Sequence, residues 1–104
     1  MLAVTTQLNF RVQLILAVIT VLAGAWLRLR KWEWAAVILC IGTVLAAEAI
    51  NTALEEITNV IYPEYDLRAA KIKDLAAAAV LIVCLAAVVL ALLIFLPKIA
   101  RLVT

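Results

Sequence analysis

The sequence predicts an all-α membrane protein with three transmembrane helices. Of its 104 residues 69% are hydrophobic and the mean hydropathy is +1.21. The apolar residues fall in three runs, and roughly 20 apolar residues suffice to cross a bilayer as a helix. Only two Gly and two Pro interrupt the chain, a composition that excludes disorder and the ordinary soluble class. The connections are short, so residues 1–104 read as a single membrane-embedded domain.

The spans are expected at about 12–29, 34–61 and 70–96. Residues 1–11 are mixed, and Val12 to Leu27 form the first apolar run, closed by Arg28, Arg30 and Lys31, whose long stems reach the interface. This run is too long for a signal h-region, so it is retained as a span. Trp26, Trp32 and Trp34 bracket the boundary as an aromatic belt, with Glu33 among them in a tight turn. The second span is apolar through Ala47, continues through a polar stripe to about Ile61, and stops before Pro63. Pro63-Glu64-Tyr65-Asp66 forms the second connection. The third helix passes Lys71, Lys73 and Asp74 into an Ala-rich run ending at Leu96-Pro97, and Ala76 to Ala79 are small enough to admit a close neighbour.

Net charge is +2 and the basic residues do not cluster with aromatics, which leaves no nucleic-acid surface and makes lipid and small polar ligands the partners. Cys40 and Cys84 lie in separate apolar runs without metal-ligand spacing, and read as buried structural thiols. Three spans put the N-terminus and the 62–69 loop on one side, and the 28–34 turn and C-terminus on the other. Basic residues are nearly balanced between the two sides, so charge alone does not orient the chain.

The chemistry concentrates in Glu48-Ala49-Ile50-Asn51-Thr52-Ala53-Leu54-Glu55. On a helix, Glu48, Asn51, Thr52, Glu55 and Asn59 share one face. A charged side chain at bilayer depth costs about 2.5 kcal/mol or more, and those that persist face a protein interior. Glu48 lies about 10 Å deeper than Glu55 along the helix. A deep carboxylate suits a general base, whereas a shallow one suits a hydrated divalent cation such as magnesium. Lys73 and Asp74, across the short loop, bring a point charge for phosphate and a further acid to the same boundary. Phosphoryl transfer from a water-side nucleotide to a hydroxyl at the lipid interface fits this set. Structural readings stand beside it: Glu55 and Glu56 as a solvated helix end, Lys71 as a headgroup anchor, Asn51 and Thr52 as interhelical hydrogen-bond glue. Glu48 is the residue that no structural need explains.

Glu48-x-x-Asn51-Thr52-Ala53-Leu54-Glu55, Pro63-Glu64-Tyr65 and Ala70-Lys71-Ile72-Lys73-Asp74-Leu75-Ala76-Ala77-Ala78-Ala79-Val80 closely resemble the bacterial diacylglycerol kinase and undecaprenol kinase family of small lipid kinases. The likeness runs from about Asn9 to Ile99, with Asn9-Phe10-Arg11 matching the segment before the family's first span. The resemblance implies a homotrimer in the bacterial cytoplasmic membrane, with its site between protomers on the cytoplasmic side. It implies Mg2+ with ATP as co-substrate, and a membrane lipid alcohol as acceptor. By that likeness Glu48 is the general base and Glu55 the metal ligand. Asn51, Glu55, Asn59, Lys73 and Asp74 then meet the nucleotide.

The chain departs from the pattern in three places. Gln7 stands where the family has a second metal-binding Glu, and a neutral amide is a weaker magnesium ligand. Asn59 stands where an acid is often found, and the amphipathic surface helix before the first span is expected to be short or absent. Two other readings follow from the residues: a proton-coupled small transporter built on Glu48, and a catalytically inactive relative acting as a membrane scaffold.

Overall fold

The computed structural model describes the backbone of residues 2–103 and the side chains of residues 10–103. Three helices account for nearly all of it: α1 (Leu2–Leu27), α2 (Lys31–Ile61) and α3 (Leu67–Val103). Each is long and apolar enough to cross a membrane. The molecule is a rod of 57 × 22 × 21 Å, with an apolar surface around a core that is itself built on Leu29, Val37 and Ile94. Large apolar side chains such as Leu22, Leu39 and Leu93 are exposed, while Glu33, Glu48 and Thr58 are buried. In lipid this is the expected sense, because outward apolar groups meet hydrocarbon and polar groups must find partners inside.

The helix ends are set by local chemistry that shifts the expected spans. The first span stops at Leu27 and not at residue 29, because Arg28 adopts a left-handed conformation (φ 57°). Its N–H bonds Ala25 O at 3.4 Å, and the Leu29 N–H reaches back to Gly24 O at 3.2 Å, the Schellman pattern that satisfies terminal carbonyls. The buried Leu29 folds over Gly24: a Cβ at position 24 would lie 2.8 Å from Leu29 Cδ1 and 3.0 Å from Trp34 Cη2. Glycine is needed here for close packing. Helix α2 starts at Lys31, three residues earlier than expected. The Arg30 N–H donates to Glu33 Oε1 at 2.8 Å, so Glu33 caps the first turn from within the helix and does not lie in the connection, where the sequence reading put it.

Helix α3 starts at Leu67 and not at 70, since Asp66 Oδ1 accepts the Arg68 N–H at 2.8 Å as an N-cap. The far end is the larger correction. Pro97 lies inside the helix, which continues to Val103. Proline removes one donor and crowds the preceding turn, but packing holds this turn in place: Ile94 is buried, and Lys98 Nζ lies 3.0 Å from Glu33 Oε1 of α2. Membrane helices absorb such prolines where neighbours support them. Helix α1 begins at Leu2 and is continuous with the first span, so the mixed residues from Leu2 onward belong to the same helix.

Helices α2 and α3 form an antiparallel hairpin packed along its length, and α1 lies against it with far fewer contacts. Two polar bonds fix the register. At one end Lys73 Nζ donates to Asn59 Oδ1, and at the other Lys98 pairs with Glu33. The intervals 33–59 and 73–98 differ by one residue, so the clamps lie about 38 Å apart along straight helices. That is slightly more than the roughly 30 Å hydrocarbon core, which places one lysine clamp near each interface. Ala69 and Ala76, one heptad apart, are buried, whereas Ala77, Ala78 and Ala79 are exposed. The expected small-residue approach therefore uses one Ala of the four.

Candidate active site

The polar stripe of α2 faces the inside of the bundle. Glu48, Asn51, Thr52, Glu55, Thr58 and Asn59 are buried or half-buried, and the intervening residues 49, 50, 53, 54, 56, 57 and 60 are exposed. This is the face that helical spacing predicts. Thr58 joins the stripe although sequence reading passed over it. At 3% exposure it is the most buried of the three buried polar residues, and its Oγ1 donates to Leu54 O at 2.6 Å. Its spacing of three and seven residues from Glu55 and Asn51 was the available signal.

Glu48 retains 6% of its surface. Its carboxylate accepts from Gln13 Nε2 of α1 at 3.4 Å, and its backbone carbonyl accepts the Thr52 hydroxyl at 3.0 Å. Gln13 was not foreseen as a partner, because only tertiary packing brings residues 35 positions apart together. One turn shallower, Asn51 Nδ2 donates to Glu55 Oε1 at 3.3 Å. Asn51 Oδ1 is buried without a hydrogen-bond partner among the described residues. Such an acceptor has lost its water and gained nothing, which costs about 1–3 kcal/mol unless a donor or cation arrives.

The expected cluster is only partly assembled within one chain. Glu48, Asn51 and Glu55 lie in line on α2. Lys73 sits higher, on Asn59, and Asp74 is exposed on the outer face of α3. Gln7 falls outside the residues whose side chains are described. The two thiols also differ from expectation: Cys40 and Cys84 are free and half-buried, since the looser packing of α1 leaves their surroundings partly open.

Magnesium favours oxygen donors, often one or two carboxylates completed by waters and phosphates. The Glu55 carboxylate and the unpartnered Asn51 Oδ1 fit that preference. No group of three acidic, His or Cys side chains gathers among the described residues, so a nucleotide's phosphates or a second chain would have to complete the shell.

Fold and site together define a multi-pass membrane protein with a buried carboxylate at the base of an inward polar stripe. The family model described as prokaryotic diacylglycerol kinase matches residues 1–95, and the chain belongs to that family. It is 33% identical over 93 residues to the undecaprenol kinase of Bacillus subtilis (strain 168), covering 89% of this chain and 76% of that protein. No solved structure matches the chain. Family and relative together support a membrane lipid kinase.

Proposed function

We propose that the protein transfers the γ-phosphoryl group of ATP to the hydroxyl of a membrane lipid, diacylglycerol or undecaprenol, with Mg2+, as a homotrimer in the bacterial cytoplasmic membrane. The observation that carries this reading is Glu48: a carboxylate 6% exposed, in an apolar setting, held by a single amide. A carboxylate set beside the apolar half of the helix and holding one weak partner stands where a lipid hydroxyl would meet it, which suits a base that takes that hydroxyl's proton. Glu55 and Asn51 would hold magnesium, which supplies charge neutralisation for the phosphates. Asn51 also orients the Glu55 carboxylate, through the bond its Nδ2 donates.

The exposed Asp74 supports assembly between protomers: a site with one member facing outward needs a neighbour to close it. Lys73 and Asp74 lie at the same end of the hairpin as Glu55; in this reading they meet the nucleotide, with that end on the cytoplasmic side where ATP is found. Labelled γ-phosphate transfer by purified protein tests the reading, with diacylglycerol and undecaprenol offered in parallel and Glu48→Gln as control. Transfer to one lipid, lost in the control, is the expected result. Absence of transfer to either lipid, in protein that is folded and oligomeric, would refute it.

A further inference from the structure

Side-chain charge is divided unevenly between the two ends of the rod. At the Glu33–Lys98 end stand five cations, Arg28, Arg30, Lys31, Lys98 and Arg101, against the single acid Glu33, a net of +4. The rest of the chain carries four cations against six acids, a net of −2, and the two parts make up the chain's +2.

The acid of the cationic end is already occupied. Glu33 Oε1 accepts the Arg30 N–H at 2.8 Å and pairs with Lys98 Nζ at 3.0 Å. Arg28, Arg30, Lys31 and Arg101 are all exposed, and their side chains make no ion pair among the described residues. Arg68 at the opposite end shows the contrast: its guanidinium closes on Asp66 at 3.2 Å and covers the ring of Tyr62.

Placement decides what these four cations meet. Arg28 follows the apolar window Phe10–Leu27, whose 18 residues extend about 27 Å and nearly cross a hydrocarbon core of roughly 30 Å. Arg28 and Arg30 flank the buried Leu29, so the turn directs its apolar side chain inward and its two arginines outward. Arg101 lies one turn, about 4.5 Å, beyond Lys98 along α3. Trp26 and Trp32, 74% and 61% exposed, stand on either side of the turn, at the level where amphipathic rings meet headgroups. Immediately inward the surface is hydrocarbon, with Leu22 and Leu93 exposed. A partner at this level needs an anionic head on an apolar body. Three of the four cations are arginines, whose planar fork matches the paired oxygens of a phosphodiester.

We infer that the Glu33–Lys98 end selects anionic phospholipids in its own leaflet, through Arg28, Arg30, Lys31 and Arg101, with Trp26 and Trp32 against the adjoining acyl chains. The opposite end, net negative, does not select them. This gives one end of the hairpin an anchor whose strength follows the anionic lipid content of that leaflet. It does not depend on the kinase reading, because no group of the proposed site takes part.

The protein's own fluorescence reports on this end, since its three tryptophans, Trp26, Trp32 and Trp34, all lie there. Full-length protein is reconstituted in mixtures of phosphatidylglycerol and phosphatidylcholine in which one lipid or the other carries brominated chains, which quench tryptophan on contact. One cation near an anionic headgroup favours it about fivefold, so phosphatidylglycerol should quench as a lipid bound about fivefold more tightly than phosphatidylcholine. At about 1 M salt, where the screening length falls to about 3 Å, that preference should shrink to less than about twofold. The quadruple variant R28Q/R30Q/K31Q/R101Q should show none, and Lys71→Gln at the other end should keep all of it. Arg28→Gln and Arg101→Gln singly should each lower it about twofold, which keeps the test decisive if the quadruple variant does not fold by melting temperature. Equal quenching by the two lipids, or a preference undiminished in the folded variants, would overturn the inference. So would loss of the preference on adding millimolar inorganic phosphate or polyglutamate at matched ionic strength. The first would assign the cations to a soluble phosphate and the second to an acidic protein.

Discussion

The two glycines should respond to alanine with opposite signs. Glycine in a helix interior costs about 0.5–1 kcal/mol relative to alanine, so the backbone gain from either substitution is the same. Their surroundings differ. A methyl at position 42 meets nothing within 4 Å, whereas at position 24 it lies 2.8 Å from Leu29 Cδ1, 3.0 Å from Trp34 Cη2 and 3.3 Å from Leu29 Cγ. Leu29 is buried in the cluster with Val37 and Ile94 and packed by Trp34, so its side chain has little room to turn away. Overpacking costs about 1–3 kcal/mol. Subtracting the backbone gain leaves Gly24→Ala destabilised by about 1 kcal/mol, while Gly42→Ala gains about 0.5–1 kcal/mol. The pair should therefore differ by roughly 2 kcal/mol. Reversible unfolding in mixed micelles measures this directly. If Gly24→Ala is as stable as Gly42→Ala, the close packing of the α1–α2 turn is not what holds it.

The remaining predictions concern the site and the two clamps. Glu48→Gln keeps the shape and removes the proposed base, so lipid phosphorylation should fall about 10²- to 10⁴-fold with little change in ATP KM; activity within about threefold of wild type would exclude Glu48 from that role. Lys73→Met and Lys98→Met should each loosen their own end of the hairpin, seen as faster amide exchange near residue 59 or residue 33. Because the clamps stand about 38 Å apart, the double variant should be additive within about 0.5 kcal/mol. Asp66 is held below its ordinary value of 3.8, first by the Arg68 guanidinium and then by the Arg68 N–H. A lowered carboxylate stabilises the fold above the ordinary value and loses that contribution as pH falls through the lowered one. Exchange protection of the Arg68 amide should therefore persist at pH 5 and fail only below 3.8; loss above that value would show that the cap is not formed.

Much of the fold could be read from pattern alone, for a physical reason. A segment crossing lipid must satisfy its backbone internally, so three long apolar runs can hardly be anything but three helices. The inward stripe of Glu48, Asn51, Thr52, Glu55 and Asn59 followed from helical spacing and the cost of charge in hydrocarbon. The helix ends were less legible because they depend on individual hydrogen bonds. Glu33 turns back to cap α2 and also meets Lys98, and that second contact lets α3 continue past Pro97, where local sequence rules expect a stop. Asp66 extends α3 backward by the same kind of bond.

By itself the sequence determined the number of helices, the polar face of α2 and the family, because each is carried by periodicity or by residues close together along the chain. Only the tertiary structure decided that Gln13 meets Glu48, and that Lys73 meets Asn59 while Asp74 faces outward. Those facts depend on the register of α3 against α2 and on how loosely α1 leans on the pair. Residues 14 to 35 positions apart carry no local signal of one another, and packing alone brings them into contact.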